Sequence, residues 1–430
     1  MSGKVTVPSL PEGKSSFWTR SERRLCLPCL LLGAICVYIC RQALPIAAPD
    51  LSNHQGWSKS QTGTALSSFF WGYMCTQIPA GYISDRIGGI SVATYAACVW
   101  VPLTLILPVL VSFSPSNTAT LWLIIAYRVM LGALQGFYYP CIASILSKRV
   151  DKAGRAFSYA LCASGTQFGV LFSGGAGSIL LEYYGWQSVF YVMGAIGMAW
   201  LVLMITVVLP LDKQKSSQLA GLSAPEMQQS IPWGQFLPRA AFWAVIIGHI
   251  CNNNAYFILV SWLPTYFKET FPEEKGWVYN VIPWIAAVPC RWSGGYLADR
   301  LIFKGYSATF VRKFMTCLGI MLPALGLLLI ANTQEFSTAL LLLALSLGLN
   351  TFHSGGIMVT PQDIAPSHAG AVFGVMNSAG SIPGFVGVYF AGYILETTKS
   401  WAAVFYRTSL VSMFGWLVFM VFGSAKQIVP

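Results

Sequence analysis

Apolar residues come in blocks along this chain. Each block is about 20 residues long, enough for a helix to cross a hydrocarbon core of about 30 Å. Short polar stretches separate the blocks. The pattern predicts twelve helical spans, near residues 25–48, 61–83, 91–112, 120–142, 156–180, 188–210, 239–264, 277–297, 312–331, 337–360, 371–394 and 402–424. Nothing alternates with the period of two that a membrane barrel needs. One connection is long and polar, rich in Gln, Ser and Pro. The expected organisation is a tail over 1–24, a six-helix bundle over 25–212, a linker over 213–238, a second six-helix bundle over 239–424 and a tail over 425–430.

The two halves repeat. Gly81-Tyr-Ile-Ser-Asp85-Arg86 returns as Gly295-Tyr-Leu-Ala-Asp299-Arg300, an offset of 214. Trp186-Gln-Ser-Val-Phe190-Tyr191 returns as Trp401-Ala-Ala-Val-Phe405-Tyr406, an offset of 215. Gly154-Arg-Ala-Phe157 is echoed by Gly370-Ala-Val-Phe373, an offset of 216. Three matches near one offset mark an internal duplication. The fold class expected is an all-α polytopic membrane protein with two six-helix pseudo-repeats in the same orientation. That arrangement resembles the major facilitator architecture, in which the halves rock about a site at the midplane. The doubled G-x-x-x-D-R sits in the loop after spans two and eight. Gly81, Asp85, Arg86, Gly295, Asp299 and Arg300 are expected to latch one face of the carrier, as a conformational gate.

Composition agrees. Of 430 residues 55% are hydrophobic and 10% charged, against about 25% charged in soluble domains. The eleven cysteines lie in or beside apolar runs, which argues against a disulfide framework. The net charge of +11 is not a nucleic-acid footprint, because its placement follows the membrane. With the N-terminus in the cytosol, 18 of the 26 basic residues fall in cytosolic segments and four on the other side. Both termini are therefore expected to be cytosolic. No cleavable leader is expected, since the first apolar run starts near Leu25 and is too long. Gly13-Lys14-Ser15 lacks the earlier glycine of a phosphate loop, Pro8 standing there. No span carries a nucleophile–base pair or a metal-ligand cluster, so no enzyme activity, metal or cofactor is expected.

The charges inside the spans carry the chemistry. Arg128 lies near the middle of span four, where a charge costs roughly 2.5–3.5 kcal/mol on insertion scales. Helical spacing sets Arg128, Gly132, Gln135, Gly136 and Tyr139 on one face, expected to look into a water-filled cavity. Arg41 lies in span one, flanked by Tyr38 and Pro45; the two readings are substrate contact and snorkelling to the interface. Arg291 and Arg407 sit nearer span ends and are expected to snorkel. Asn252, Asn253, Asn254 and Tyr256 in span seven, and Asn350 and His353 in span ten, either glue helices or line a cavity. His249 is expected to pack. All fifteen acidic residues fall in loops or at span ends. A buried charge needs a partner, and the partner expected here is an anionic substrate. Phe70, with Tyr38 and Tyr139, is a candidate to stack on it.

Several longer strings then resemble one family. Ser67-Ser-Phe-Phe-Trp-Gly-Tyr-Met-Cys-Thr-Gln-Ile-Pro79, the segment from Arg128 through Gln135-Gly136 to Tyr139-Pro140, Gly165-Thr-Gln-Phe-Gly169 and Asp363-Ile-Ala-Pro366 are similar to the anion transporter family. That family includes vesicular glutamate transporters, sialin and type I sodium–phosphate transporters. Leu66-Ser-Ser-Phe-Phe-Trp-Gly-Tyr73, Asp85-Arg-Ile-Gly-Gly89, Tyr183-Tyr-Gly-Trp-Gln-Ser188 and Ser261-Trp-Leu-Pro-Thr265 resemble its vesicular nucleotide-carrying branch. The resemblance implies import of ATP, ADP and GTP into secretory vesicles and lysosomes, driven by the potential of a proton-pumping ATPase, with chloride as activator. It carries the anion-binding role to Arg41 and Arg128. Glutamate transporters and sialin have glutamate where Gln135 stands. Glutamate transporters also have histidine in place of Leu66 and arginine in place of Asn252. The titratable coupling groups are thus missing. Another anion (phosphate, urate, an acidic sugar or glutamate) is the alternative cargo, and a non-transporting receptor is the alternative of another class.

Overall fold

The structure is a computed structural model describing residues 18–150, 152–219, 232–365 and 369–428. The tail over 1–17 and linker residues 220–231 lie outside it, as does the Asp85 side chain. The described residues form twelve helical rods: α1 (Arg20–Gln55), α2 (Lys59–Ile87), α3 (Gly89–Ser112), α4 (Asn117–Leu146), α5 (152–184), α6 (Trp186–Lys215), α7 (Ala240–Thr270), α8 (Gly276–Phe303), α9 (Ala308–Ile330), α10 (Phe336–Ile364), α11 (Val372–Thr398) and α12 (Trp401–Phe422). The start of the expected linker is helical too, because α6 runs on to Leu219. Local signals set the ends. Thr19 and Ser58 open α1 and α2 with reciprocal capping boxes to Glu22 and Gln61. Gly56 closes α1 at φ 63, a left-handed conformation natural to glycine.

Nine of these rods are long and apolar enough to cross a membrane. The other three are α2, α5 and α8. α2 packs on α11, α5 on α8, and α1 on α7. These are the contacts between the halves, so these helices turn much of their surface to protein instead of lipid. Adding six to each helix number turns the α2–α11 pair into α8–α5. The sequence duplication is thus a pseudo-two-fold of the assembly. The repeat also reaches the irregularities. α4 breaks at Gly136–Phe137, and α10 leaves α-helical geometry at Thr351, 215 residues later.

Glycines set the closest approaches. A Cβ on Gly72 would lie 1.9 Å from the Val129 carbonyl oxygen, and one on Gly132 would lie 1.9 Å from that of Phe69. α2 and α4 therefore meet backbone to backbone, the small-residue contact that replaces hydrophobic attraction between helices in lipid.

Among the described residues, most of the hydrogen bonds and ion pairs that join the halves gather at the end remote from the termini. Lys59 of α2 pairs with Glu269 of α7, and Asp50 of α1 with Lys268 of α7. Glu396 of α11 accepts from Ser58 Oγ (2.9 Å) and Ser60 N–H (2.8 Å) at the start of α2. Asn280 of α8 donates to Ser178 of α5 (2.8 Å). Beneath this layer Phe70 of α2 packs on Phe257 of α7, ring centroids 4.5 Å apart, and lies against Gly384 of α11. The two halves close on each other at that end.

Gly132→Leu should force α2 and α4 apart at a backbone contact and lower stability by about 1–3 kcal/mol or more. Gly234→Ala, at a site with nothing within 4 Å, should not. Thermal unfolding of both variants in detergent distinguishes them.

Candidate functional site

The site begins with a proline. Pro45 has no N–H, so the carbonyl of Arg41, one turn earlier in α1, has no helical donor. Arg128 of α4 fills the gap, donating to that oxygen at 2.9 Å. Its other arm donates to the Leu66 carbonyl of α2 at 3.1 Å, and its guanidinium lies 4.9 Å from the Phe69 ring centroid. Arg128 is 2% exposed, and its Nε has no partner. It ties α4 to α1 and α2 without being neutralised.

Arg41 sits beside it in a box of rings. Its guanidinium carbon is 4.5 Å from the Tyr38 centroid, 4.4 Å from Phe69 and 5.0 Å from Tyr73. Aromatic faces attract a cation but do not cancel its charge. Nε donates to Gln135 Oε1 at 3.5 Å, while Arg41 Nη2 and Gln135 Nε2 are buried without partners. Snorkelling is ruled out for Arg41, whose side chain is buried. Among the described residues no carboxylate forms an ion pair with Arg41, Arg128, Arg291 or Arg407.

The open, water-filled face expected along Arg128–Tyr139 is not what the structure has. Gly132 and Gly136 notch against α2, where a Cβ on Gly136 would meet Thr76 Oγ1 at 2.2 Å. Gln135 is fully buried. The break at Gly136–Phe137 puts Tyr139 on the next segment, where its hydroxyl pairs with Thr166 of α5 at 2.7 Å. The cations are buried among protein side chains with donors to spare.

In the C-terminal half the amides tie helices together. α9 carries a π-bulge over Cys317–Met321. Asn350 donates to the Gly319 carbonyl there (3.1 Å) and to Asn252 Oδ1 (2.7 Å). Asn253 donates to the Gly380 carbonyl (3.0 Å), where α11 is interrupted, and meets His249 Nε2 at 3.1 Å. Asn254 lies against Gly387, its Nδ2 buried and unpartnered. His353 Nδ1 bonds the Asn350 carbonyl at 2.7 Å, and its ring stacks on His249, centroids 6.3 Å apart. Tyr256 packs edge-on to Trp284 and Phe257. Phe70 belongs to the closure between the halves described above.

Arg291 corrects the snorkelling expectation. It stands midway along α8, and its partner is Gln167, midway along α5 in the other half. The Gln167 amide satisfies its surroundings with its oxygen accepting both Arg291 Nη atoms, at 2.7 and 2.9 Å. The span boundary drawn from hydropathy was too short at α8, which made this residue look peripheral. Arg407 does not reach an interface either; it is half-buried, its guanidinium 3.5 Å from the Gly387 carbonyl and 5.7 Å from the Phe390 ring centroid.

The gate residues lie on the side of the termini. Arg86 is exposed and stacks on Tyr82 of its own helix, 4.4 Å from the centroid. Arg300 donates to Tyr296 of its own helix at 2.8 Å. Asp299 is exposed, and a Cβ on Gly81 or Gly295 would meet nothing within 4 Å. The described gate residues hold nothing across the halves here.

Twelve rods, a pseudo-two-fold and arginines buried in the N-terminal bundle mark the class, a multi-pass membrane transporter. The chain belongs to the Major Facilitator Superfamily, whose family model matches residues 30–388. Curated relatives include the human "Voltage-gated purine nucleotide uniporter SLC17A9", 40% identical over 96% of this chain and 94% of that protein. The Arabidopsis thaliana "Ascorbate transporter, chloroplastic" is 31% identical over 99% of this chain and 79% of its own length. Among solved structures, a bacterial homolog to the human lysosomal transporter Spinster, inward-facing and occupied, superposes with a TM-score of 0.73 at 14% identity, covering 94% of this chain and 97% of that one. The anion-transporter resemblance of the sequence therefore holds.

Arg128→Lys keeps the charge but cannot hold two carbonyls on different helices. A buried carbonyl left bare costs about 1–3 kcal/mol. The variant should melt earlier than wild type in detergent, and Arg41→Lys, whose neighbours are mostly ring faces, should melt closer to wild type.

Proposed function

We propose that this protein is a uniporter that moves ATP, ADP and GTP across an organelle membrane by alternating access, driven by membrane potential. The carrying observation is the pair Arg41 and Arg128: two buried cations with unpartnered donors and, among the described residues, no carboxylate to neutralise them. A polyvalent anion supplies what they lack. Arginine suits the task because its planar fork grips phosphate oxygens with directional bonds. Gln135 adds a further donor, and Tyr38, Tyr139 and Tyr256 offer rings for the base. The 40% identity to a purine nucleotide uniporter over nearly the whole chain supports the choice of cargo.

Electrical work suffices. Each charge moved through 100 mV gains about 2.3 kcal/mol, so a nucleotide with three or four negative charges gains roughly 7–9 kcal/mol. In this reading both termini are cytosolic, the closed end faces the lumen of a secretory vesicle or lysosome, and a proton-pumping ATPase supplies the voltage. Chloride acts as activator. Glu269, Glu396 and Asp50 hold the lumenal gate, and Asp85 and Asp299 hold the cytosolic one in the opposite state.

Kinship with the chloroplast ascorbate transporter favours a second reading, in which the cargo is another organic or inorganic anion. Purified protein in liposomes separates the two. An imposed inside-positive potential should drive ATP uptake, and a pH gradient alone should not. ATP, ADP and GTP should compete with labelled ATP, and glutamate, ascorbate and phosphate should not. Arg128→Ala, at matched protein levels, should lower uptake at least about tenfold, the loss of one charge-assisted contact. Uptake at the wild-type rate by that variant would refute the clamp.

A further inference from the structure

We propose that Gln167 stands in for the cargo on Arg291: amide and anion compete for the same guanidinium fork, and the exchange lets the carrier recross its membrane unloaded. This rests on the anion-carrier reading above and adds a contact from the second half.

The geometry is that of an anion site with a neutral occupant. Both terminal nitrogens of Arg291 converge on one end of the Gln167 amide, at 2.7 and 2.9 Å, and the surrounding donors and acceptors assign the oxygen to that end. A phosphate or carboxylate oxygen is gripped in the same way. The oxygen belongs to an amide, so the guanidinium keeps its full charge. The Gln167 nitrogen donates to the Ser164 carbonyl at 3.2 Å, which aims the oxygen away from its own helix and across the gap. Arg291 is exposed on its helix. Among the described residues no acid pairs with Arg291.

Competition follows from strength. The amide brings only a dipole to the guanidinium, whereas an anionic group brings a full opposite charge, so it displaces the amide. Loaded, the halves are joined through the cargo. Unloaded, they are joined through Gln167. A glutamate at this position would not serve, because its fixed charge would hold Arg291 against any cargo. A hydrophobic residue would leave the cation bare during the return step.

Three variants test this: Gln167→Leu, Gln167→Glu and Arg291→Gln. Binding is read as the thermal shift of detergent-purified protein with ATP, inorganic phosphate or ascorbate. Transport is read in liposomes as net voltage-driven uptake against exchange of internal for external anion. Wild type chooses the anion: a shift with phosphate or ascorbate but not ATP would fail the nucleotide reading and leave the test to run with that anion. Gln167→Leu should bind the anion more tightly, yet its net uptake should fall about tenfold relative to its exchange rate, since only net uptake needs the unloaded return. Gln167→Glu should be more heat-stable without ligand and lose the ligand-induced shift. Arg291→Gln should lose most of the shift. The proposal is overturned if no anion shifts wild type, if Gln167→Leu loses net uptake and exchange equally or neither, or if Gln167→Glu still responds to the anion.

Discussion

A guanidinium keeps its proton in a protein, so an arginine within a membrane bundle must be met by something other than its own neutralisation. This molecule meets the arginines within its bundles with groups that hold but do not cancel. Arg128 takes two backbone carbonyls, one of them freed by Pro45. Arg41 takes three ring faces and a side-chain amide. Arg291 takes the amide oxygen of Gln167. Each partner is neutral, so each cation stays a cation. The helices around them are arranged to make this possible: a proline opens α1, glycines let α2 and α4 touch, and α5 and α8 cross closely enough for a glutamine to span the halves.

The pseudo-two-fold is strong in the backbone and weak in the chemistry. The packing pairs α2–α11 and α5–α8 exchange under it, and the breaks of α4 and α10 coincide. The side chains do not follow. The N-terminal half carries the Arg41–Arg128 pair, whereas the C-terminal half spends its amides on helix joints, Asn350 at the α9 bulge and Asn253 at the interruption of α11. Duplicated architecture gives two similar bodies, and divergent polar residues put the buried pair Arg41 and Arg128 in only one of them.

Much of this was legible in the chain. The helical rods and the repeat follow from hydropathy and from matched strings, because crossing a bilayer imposes a length and a polarity on a helix. The absence of intramembrane acids could be read directly as well. Other features were misread for definite reasons. Arg291 looked peripheral because a polar inter-half helix such as α8 blurs the hydropathy edge. The Arg128–Tyr139 face looked open because periodicity shows which residues share a face but not what covers it, and α2 covers this one through its own glycines.

The chain by itself therefore determined the class of protein: a helical membrane carrier with unbalanced positive charge inside, since composition and spacing alone decide what can lie in lipid and what must be matched. Only the tertiary structure decided the partners. Gln135 lies 94 residues from Arg41, and Gln167 is on a different half from Arg291. Contacts of that kind depend on how whole helices approach and cross, a property of packed bodies that no local pattern encodes.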